Sequence, residues 1–173
     1  FALFHMVSVF PLSWVFLYTS GGPERFLVIE VLGGVIGVLA IVASGYLADR
    51  FGRRSLLGAS AVAIAVFSGF APQLLGAGEI GEVLFMALGF VLLGVSFGQS
   101  SGAVAANFSG DFRYTGAALT SDLAWLVGAG FAPLVGLFLS SHFGLAAAGG
   151  YLLSGALATL AALWLNKELA GRA

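Results

Sequence analysis

The amino-acid sequence predicts an all-α membrane protein, folded as a bundle of six transmembrane helices. Of its 173 residues, 60% are hydrophobic and only 9% are charged. A soluble domain carries about 25% charged residues because its surface faces water, so most of this surface must face lipid. Apolar stretches of about 20 residues, the length that crosses a hydrocarbon core of about 30 Å, recur along the whole chain.

Short glycine-rich or charged segments separate the six apolar stretches. Each stretch must be helical, because backbone polar groups find no other partners in lipid. The first stretch runs from the start to Tyr18, and the segment Gly21-Gly22-Pro23-Glu24-Arg25 is expected to break it. The remaining predicted helices are Phe26–Leu47, Ser55–Leu75, Glu82–Asn107, Tyr114–Ser140 and Leu145–Leu165, followed by a short polar tail.

Basic residues predict how the bundle is oriented. With six crossings, the second loop, the fourth loop and the C-terminal tail lie on one side of the membrane, and only Arg25 lies on the other. Loops on the cytoplasmic side of a membrane protein carry an excess of positive charge, so these segments are expected to be cytoplasmic. The chain is accordingly predicted to be a multi-pass protein of the plasma membrane, which in bacteria is the inner membrane. The basic residues expected on the cytoplasmic side are Arg50, Arg53, Arg54, Arg113, Lys167 and Arg172.

Composition excludes several classes of protein. The net charge is -1, which gives no reason to expect a nucleic-acid partner, and the absence of cysteine excludes disulfides and thiolate metal sites. Two histidines, far apart in the sequence, make no metal cluster or catalytic triad. We therefore expect no enzymatic activity, no metal and no cofactor; the lipid bilayer is the one partner that composition implies.

The segment Gly45–Arg54 is the most specific motif. It reads Gly-Tyr-Leu-Ala-Asp-Arg-Phe-Gly-Arg-Arg and falls between the second and third helices. Glycine permits a tight turn and close helix contact, and an aspartate can face the positive end of a neighbouring helix. The segment resembles the cytoplasmic loop signature of the major facilitator superfamily. That resemblance implies a gating role for Gly45, Asp49, Arg50, Gly52, Arg53 and Arg54.

A second segment resembles one particular group within this superfamily. Arg113, Tyr114 and Gly116, continuing through Gly128 and Pro133, look like the tenth loop and eleventh helix of metabolite:proton symporters. That group includes carriers of shikimate-like compounds, dicarboxylates, tricarboxylates and betaine or proline. The resemblance covers essentially the whole chain. It implies that residues 1–173 are helices seven to twelve, the C-terminal half, and that an N-terminal six-helix half is missing.

Two features depart from the symporter pattern. An acidic residue and a proline commonly precede the Arg-Tyr-Thr-Gly segment, whereas this chain has Asn107-Phe108-Ser109-Gly110-Asp111. A polar uncharged residue is usual where Asp122 stands, so the substrate class cannot be copied from one member. A carboxylate inside lipid normally faces a cavity or a partner, and burial would favour its protonated form. Asp122 is either a proton-binding or substrate-contacting group, or a boundary residue solvated or paired with Arg113.

His5 and Glu30 are two further titratable candidates. Histidine titrates near neutral pH, which suits proton coupling, but a polar residue packed between helices is an equal alternative for His5. Glu30 lies about one turn into the second helix. Arg25 is near it in sequence, and an ion pair between the two is the favoured interpretation.

The fourth helix combines small and polar residues. Gly94, Gly98 and Gly102 form a stripe at four-residue spacing, typical of tight helix packing in membranes. Gln99 is the best candidate to hydrogen-bond a substrate, although hydrogen bonding between helices is an equal alternative. Trp125, one turn from Asp122 on the fifth helix, is a further candidate for the substrate path.

The chain also contains a candidate internal repeat. Phe51-Gly52 precedes the third helix and Phe143-Gly144 precedes the sixth, each followed by a glycine six residues later, Gly58 and Gly150. These loops lie on opposite faces of a six-helix bundle, as an inverted three-plus-three repeat requires.

The resemblance implies proton-coupled uptake of a small organic metabolite, a carboxylic acid or a zwitterion, by alternating access. Two alternatives stay open from the sequence. One is a membrane structural or assembly protein without transport, and the other is a half-transporter that works as a homodimer.

Overall fold

The computed structural model describes residues 1–19 and 22–166, and every regular element in these ranges is helical. The predicted basic residues Lys167 and Arg172 lie outside the described residues. The elements are α1 (Ala2–Ser8), α2 (Phe10–Tyr18), α3 (Pro23–Phe51), α4 (Arg53–Leu75), α5 (Glu79–Ala105), α6 (Arg113–Ala124), a π-helical turn (Trp125–Ala129), α7 (Ala132–Phe143) and α8 (Leu145–Leu165).

The predicted all-α membrane fold is confirmed. Within the described residues, five helical segments are long and apolar enough to cross a membrane: α3, α4, α5, the segment Arg113–Phe143 and α8. The first predicted span, Ala2–Tyr18, is apolar but shorter than the others. The chain is therefore a multi-pass membrane protein with five long spans and one short apolar helical segment.

Two prolines change the predicted ends of the first two spans. The first span is divided at Val9, two residues before Pro11, whose ring nitrogen has no hydrogen to donate within the helix. The first span ends at Tyr18 as predicted, but the next helix begins at Pro23 rather than at Phe26. Pro23 is the first residue of α3, where a proline costs no hydrogen bond because the first helical N–H groups have no partner within the helix.

The parallel helices α3 and α5 pack along stripes of glycine. A Cβ added at Gly94 would lie 2.6 Å from the Cβ of Ala40, so α5 approaches α3 more closely than any larger residue allows. The ring of Phe90 fills the space over Gly33 and Gly37 in the same way. This close backbone approach maximises van der Waals contact, which drives helix association in lipid.

The other helix pairs also use small residues. In α8, Gly149 packs on Pro72 of α4, and in α7, Gly136 packs on Met6 and Phe10 of the first span. By contrast, α6 has no buried residue. One face of the bundle, along α6, is therefore left without a covering helix in the described chain.

The two loops of the candidate repeat share one backbone conformation. Gly52 has φ 82° and Gly144 has φ 83°, in the region that favours glycine, and each ends one helix and precedes the next. Gly58 and Gly150 share no close packing, since nothing lies within 4 Å of a Cβ added at either. The turn chemistry thus recurs at both loops, and the inverted repeat stays a prediction.

We predict that replacing Gly94 by alanine will lower stability and that the same change at Gly34 will not. At Gly94 the new methyl group meets α3, and overpacking of this kind costs about 1–3 kcal/mol. At Gly34, on the open side of α3, nothing lies within 4 Å, so the higher helix propensity of alanine should leave stability unchanged or raise it. Thermal unfolding of both variants in detergent tests this, and an equal midpoint for both would contradict it.

Candidate functional site

A buried polar network joins α3, α4 and α5. The amide of Gln99, 5% exposed, donates from Nε2 to Ser44 Oγ at 3.0 Å, and its Oε1 accepts from Arg53 Nε at 3.2 Å. Ser44 Oγ donates in turn to the carbonyl of Ile41 at 2.7 Å. The guanidinium of Arg53 also lies over Gly102, where a Cβ would come within 2.6 Å of it.

This network gives Gln99 a structural role. Both ends of its amide are engaged by side chains of other helices, as the interhelical alternative expected. The amide nitrogen has a second hydrogen and the carbonyl oxygen a second lone pair, so contact with a substrate stays a prediction. In membranes such interhelical hydrogen bonds contribute about 0.6 kcal/mol on average.

The residues of the Gly45–Arg54 motif have different surroundings. Gly52 has the positive φ that the predicted tight turn requires, whereas nothing lies within 4 Å of a Cβ added at Gly45. Asp49 is exposed and makes no hydrogen bond or ion pair within residues 1–19 and 22–166. The guanidinium carbon of Arg50 lies 5.4 Å from the ring centre of Phe51.

Arg54 ties together the ends of three helices. Its Nη1 donates to the backbone carbonyl of Asn166, the residue that caps the C-terminus of α8. The side chain of Asn166 donates to Asn107, just beyond the end of α5. A positive charge at a helix C-terminus is favourable because the carbonyl dipoles point towards it. The second loop, the fourth loop and the end of α8 therefore share one face, called here the basic face.

The second motif lies at the start of α6. Gly116 provides room for the ring of Phe108, whose carbons would lie within 2.8 Å of a Cβ added at that position. Arg113 and Tyr114 are exposed, and Tyr114 keeps 88% of its surface accessible. The glycine thus positions the loop, and the two larger residues stand on an uncovered surface.

Five aromatic rings bring together two predicted candidates. The rings of His5 and Trp125 lie 5.8 Å apart between centroids, joining the first span to the fifth. The Trp125 ring also contacts Phe1, Phe4 and Phe97 at 5.2, 5.2 and 6.1 Å. His5 Nδ1 is buried and has no hydrogen-bond partner among the described residues.

The fifth span changes its helical pitch at this cluster. The turn Trp125–Ala129 is π-helical, with the N–H of Gly130 donating to the carbonyl of Trp125 at 2.7 Å. Pro133 follows at the start of α7 and has no N–H to continue the ladder. Single π turns inside α-helices are frequent at functional sites. The predicted helix Tyr114–Ser140 is therefore not continuous but changes geometry where it meets His5.

Asp122 lies one turn before this cluster but points elsewhere. It is exposed on α6, and no ion pair joins it to Arg113 in the described part of the chain. Among residues 1–19 and 22–166, its carboxylate has no hydrogen-bond or ion-pair partner. The functional interpretation of Asp122 thus stays a prediction.

The expected pairing of Arg25 with Glu30 is wrong. Arg25 instead pairs with Glu82, where Nη2 donates to Oε2, and with Glu79, where Nη1 and Oε1 are 3.2 Å apart. The reason is the parallel packing of α3 and α5, which places the start of α5 beside the start of α3. One oxygen of Glu30, Oε2, is buried and has no hydrogen-bond partner among the described residues.

A cavity of about 340 Å³ lies among α1, α4, α5 and α8. Its lining is mainly aliphatic, and its polar members are Ser96, Ser100, Asn107, Thr159 and Asn166. The three hydroxyl groups donate to carbonyls of their own helices. Their hydrogens are therefore engaged within their own helices in this structure.

Several site residues could not be found from sequence. Ser44 gave no signal because serine is common in apolar helices, and its partner Gln99 is 55 residues away. Phe97 looked like one of many apolar residues in its span. One feature of the sequence pointed to the pairing of Glu82 with Arg25, since each residue lies at the start of a helix. Whether the two starts meet depends on how the helices pack, which the sequence does not show.

Comparison with known proteins assigns the family. Over 174 aligned residues, 97% of this chain, it is 33% identical to "Inner membrane metabolite transport protein YhjE" of Escherichia coli (strain K12). Two proteins of Haemophilus influenzae named as metabolite transport proteins are 33% and 31% identical over 84% of the chain. The chain is thus similar over nearly its whole length to bacterial metabolite transport proteins, which are of the major facilitator type.

The resemblance to the major facilitator superfamily is thereby confirmed. The chain spans 40% of the length of the Escherichia coli relative and 33% of each Haemophilus influenzae relative. The names of these relatives describe transport, in agreement with the expectation that this chain is not an enzyme. No family profile matches the chain, and no solved structure gives a significant match.

The contact between His5 and Trp125 predicts that residue 5 sets the environment of this indole. In a background in which Trp14 and Trp164, the other tryptophans, are replaced by phenylalanine, His5→Ala should shift the emission maximum of Trp125, because it removes a ring that packs against the indole. The same change at His142, whose ring lies beside Phe138 and Phe143 instead, should leave the emission unchanged. An emission spectrum that His5→Ala leaves unaltered would contradict the contact.

Proposed function

We propose that the chain is the C-terminal half of a secondary active transporter, which takes up a small organic metabolite by alternating access. The similarity to metabolite transport proteins over 97% of the chain carries this proposal. The multi-pass bundle and the Gly45–Arg54 loop at its basic face support it. In this class, two halves rock about a site near the bilayer midplane and expose it to each side in turn.

A missing N-terminal half is the proposed partner. Leu119 and Leu123 of α6 are 60% and 52% exposed, and no α6 residue is buried. An exposed leucine is ordinary against lipid, but the carboxylate of Asp122 on the same helix is not. A second six-helix half covering α6 would give Asp122 a cavity or a partner. The length of the relatives, which exceeds twice that of this chain, leaves room for such a half.

The proposed location is the bacterial inner membrane, with the basic face in the cytoplasm. Arg50, Arg53, Arg54 and Arg113 lie at this face, and Arg25 lies at the opposite end of α3. Basic residues are retained on the cytoplasmic side during insertion, which supports this orientation. The name of the Escherichia coli relative includes the inner membrane.

The proposed substrate is a carboxylic acid or a zwitterion, and the proposed coupling ion is the proton. Support comes from the resemblance of Arg113, Tyr114 and Gly116 to the symporter motif. The contact of His5 with Trp125 also supports it, because it places an imidazole beside aromatic faces on two helices. An imidazole exchanges protons near neutral pH, and aromatic faces attract ammonium groups such as that of a betaine.

The decisive experiment is uptake into cells that express the gene in full. The probes are labelled succinate, citrate, shikimate and glycine betaine, each measured with and without a proton uncoupler. We expect one of them to accumulate above vector-control cells, and the uncoupler to abolish its accumulation. Failure of all four would reject the proposed substrate class. Accumulation that survives the uncoupler would reject proton coupling and leave transport standing.

Replacing Asp49 by alanine should impair transport without preventing membrane insertion. Asp49 is exposed and has no partner in the described chain, so its gating contact is proposed to lie with the missing half. Asp111→Ala is the matched control, because Asp111 is also exposed but lies outside the motif in the loop after α5. Uptake is divided by the amount of tagged protein in the membrane. Equal normalised uptake by the two variants would refute the gating role.

A further inference from the structure

Glu30 occupies an unusual position on the packed face of α3. It is the only charged residue in the 23-residue stretch between Arg25 and Asp49. Four residues before it lies Phe26, which is fully buried, and three residues after it lies Gly33, which packs on Phe90 of α5. Residues three and four apart share one face of a helix, so Glu30 belongs to the stripe that packs on α5.

The nearest basic residue is already engaged. The guanidinium of Arg25 binds Glu82, whose side chain is 5% exposed, and Glu79. The buried oxygen of Glu30, Oε2, is left without a hydrogen-bond partner among the described residues. An ion pair with Arg25 therefore does not stabilise the carboxylate of Glu30.

Other titratable groups on the elements packed against α3 do not provide a partner. Within the described ranges, α2 has Tyr18 at its exposed end, and α5 has the two glutamates that bind Arg25. The arginines of α4, Arg53 and Arg54, lie at the opposite end of α3, at the basic face. None of these groups hydrogen-bonds to Glu30 or forms an ion pair with it. The carboxyl group therefore has neither an ion-pair nor a hydrogen-bond partner for its buried oxygen within the described chain.

An isolated carboxyl group in such a place favours its neutral form. A charged carboxylate inside a membrane costs roughly 2.5–3.5 kcal/mol on insertion scales, whereas the neutral acid avoids this cost. When the carboxyl group binds a proton it becomes neutral and is compatible with the surrounding apolar packing. When it loses the proton it becomes charged and is not compatible with that packing. Proton binding at Glu30 should thus be coupled to how closely α3 and its neighbours pack.

We propose that Glu30 is the carboxyl group that binds and releases the coupling proton. This inference rests on the proposed proton-coupled transport and names the residue that performs the coupling. Glu30 is five residues from Arg25, about 7.5 Å along a helix, at the end of α3 opposite the basic face. Protons driving uptake enter from that side. A proton bound there would be released when the rocking of the two halves exposes Glu30 to the other compartment.

Glu30 is better placed for this role than the other buried or intramembrane acids. Glu82 is buried but already forms an ion pair with Arg25. Asp122 lies on the uncovered helix α6, on which no residue is buried in the described chain. Only Glu30 combines a buried oxygen with the lack of a partner among the described residues.

Infrared spectroscopy tests the protonation directly and needs no substrate. The full-length protein is reconstituted in vesicles of phosphatidylethanolamine and phosphatidylglycerol, and the C=O band of protonated carboxyl groups is followed as pH rises. We expect a pH-dependent band that is lost in Glu30→Gln and shifted in Glu30→Asp. Glu24→Gln, which removes an exposed carboxylate in the first turn of the same helix, should keep the band. A band that persists in Glu30→Gln would overturn the proposal, as would its loss only in Asp122→Asn.

A transport measurement separates this inference from the proposed function. The probe is whichever of the four labelled metabolites the cells accumulate. Glu30→Gln should lose accumulation driven by a proton gradient but retain exchange of labelled for unlabelled metabolite, which moves no net proton. Glu24→Gln should retain both activities. Retained accumulation in Glu30→Gln would overturn the role of Glu30, whereas uncoupler-resistant accumulation by the unaltered protein would reject proton coupling itself.

Discussion

Close packing of α3 against α5 is the constraint on which the rest of the bundle depends. Glycines on both helices remove the side chains that would hold the backbones apart, and Phe90 fills the remaining space over α3. Because the pair is parallel, the same packing aligns charged and polar residues along its length. Arg25 meets Glu82 at one end, and Ser44 meets Gln99 near the other. The stripe of small residues thus decides which polar groups of these two helices meet each other.

The positions of polar groups in this bundle follow the free-energy cost of removing each group from water. Hydroxyl groups inside the spans donate to carbonyls of their own helix, so they cost little when buried. Arginines stay at the ends of α3 and α4, where Arg54 also caps the carbonyls of α8. Two side chains, His5 and Glu30, do not follow this rule, and both are functional candidates. His5 has a buried nitrogen and Glu30 a buried oxygen that accept no hydrogen bond from the described residues.

The first and fifth spans are the irregular ones, and they meet at a single aromatic cluster. Val9 divides the first span, and a π-helical turn at Trp125 alters the fifth. Both breaks change the regular helical geometry next to the contact between His5 and Trp125. The pairs α3 with α5 and α4 with α8, by contrast, pack closely at small residues that include Gly94 and Gly149.

The sequence by itself determined the fold class, the superfamily resemblance and most helix ends, because hydrophobic length, loop chemistry and turn glycines are local properties. Leu145–Leu165 was predicted to the residue, and the tight turn at Gly52 followed from its motif. Only the tertiary structure decided which polar groups meet. Arg25 binds Glu82 rather than Glu30 because two helices pack in parallel, bringing together residues 57 positions apart in sequence. Periodicity reports which face of a helix is apolar, but the identity and register of the helix that covers that face depend on the packing of the whole bundle.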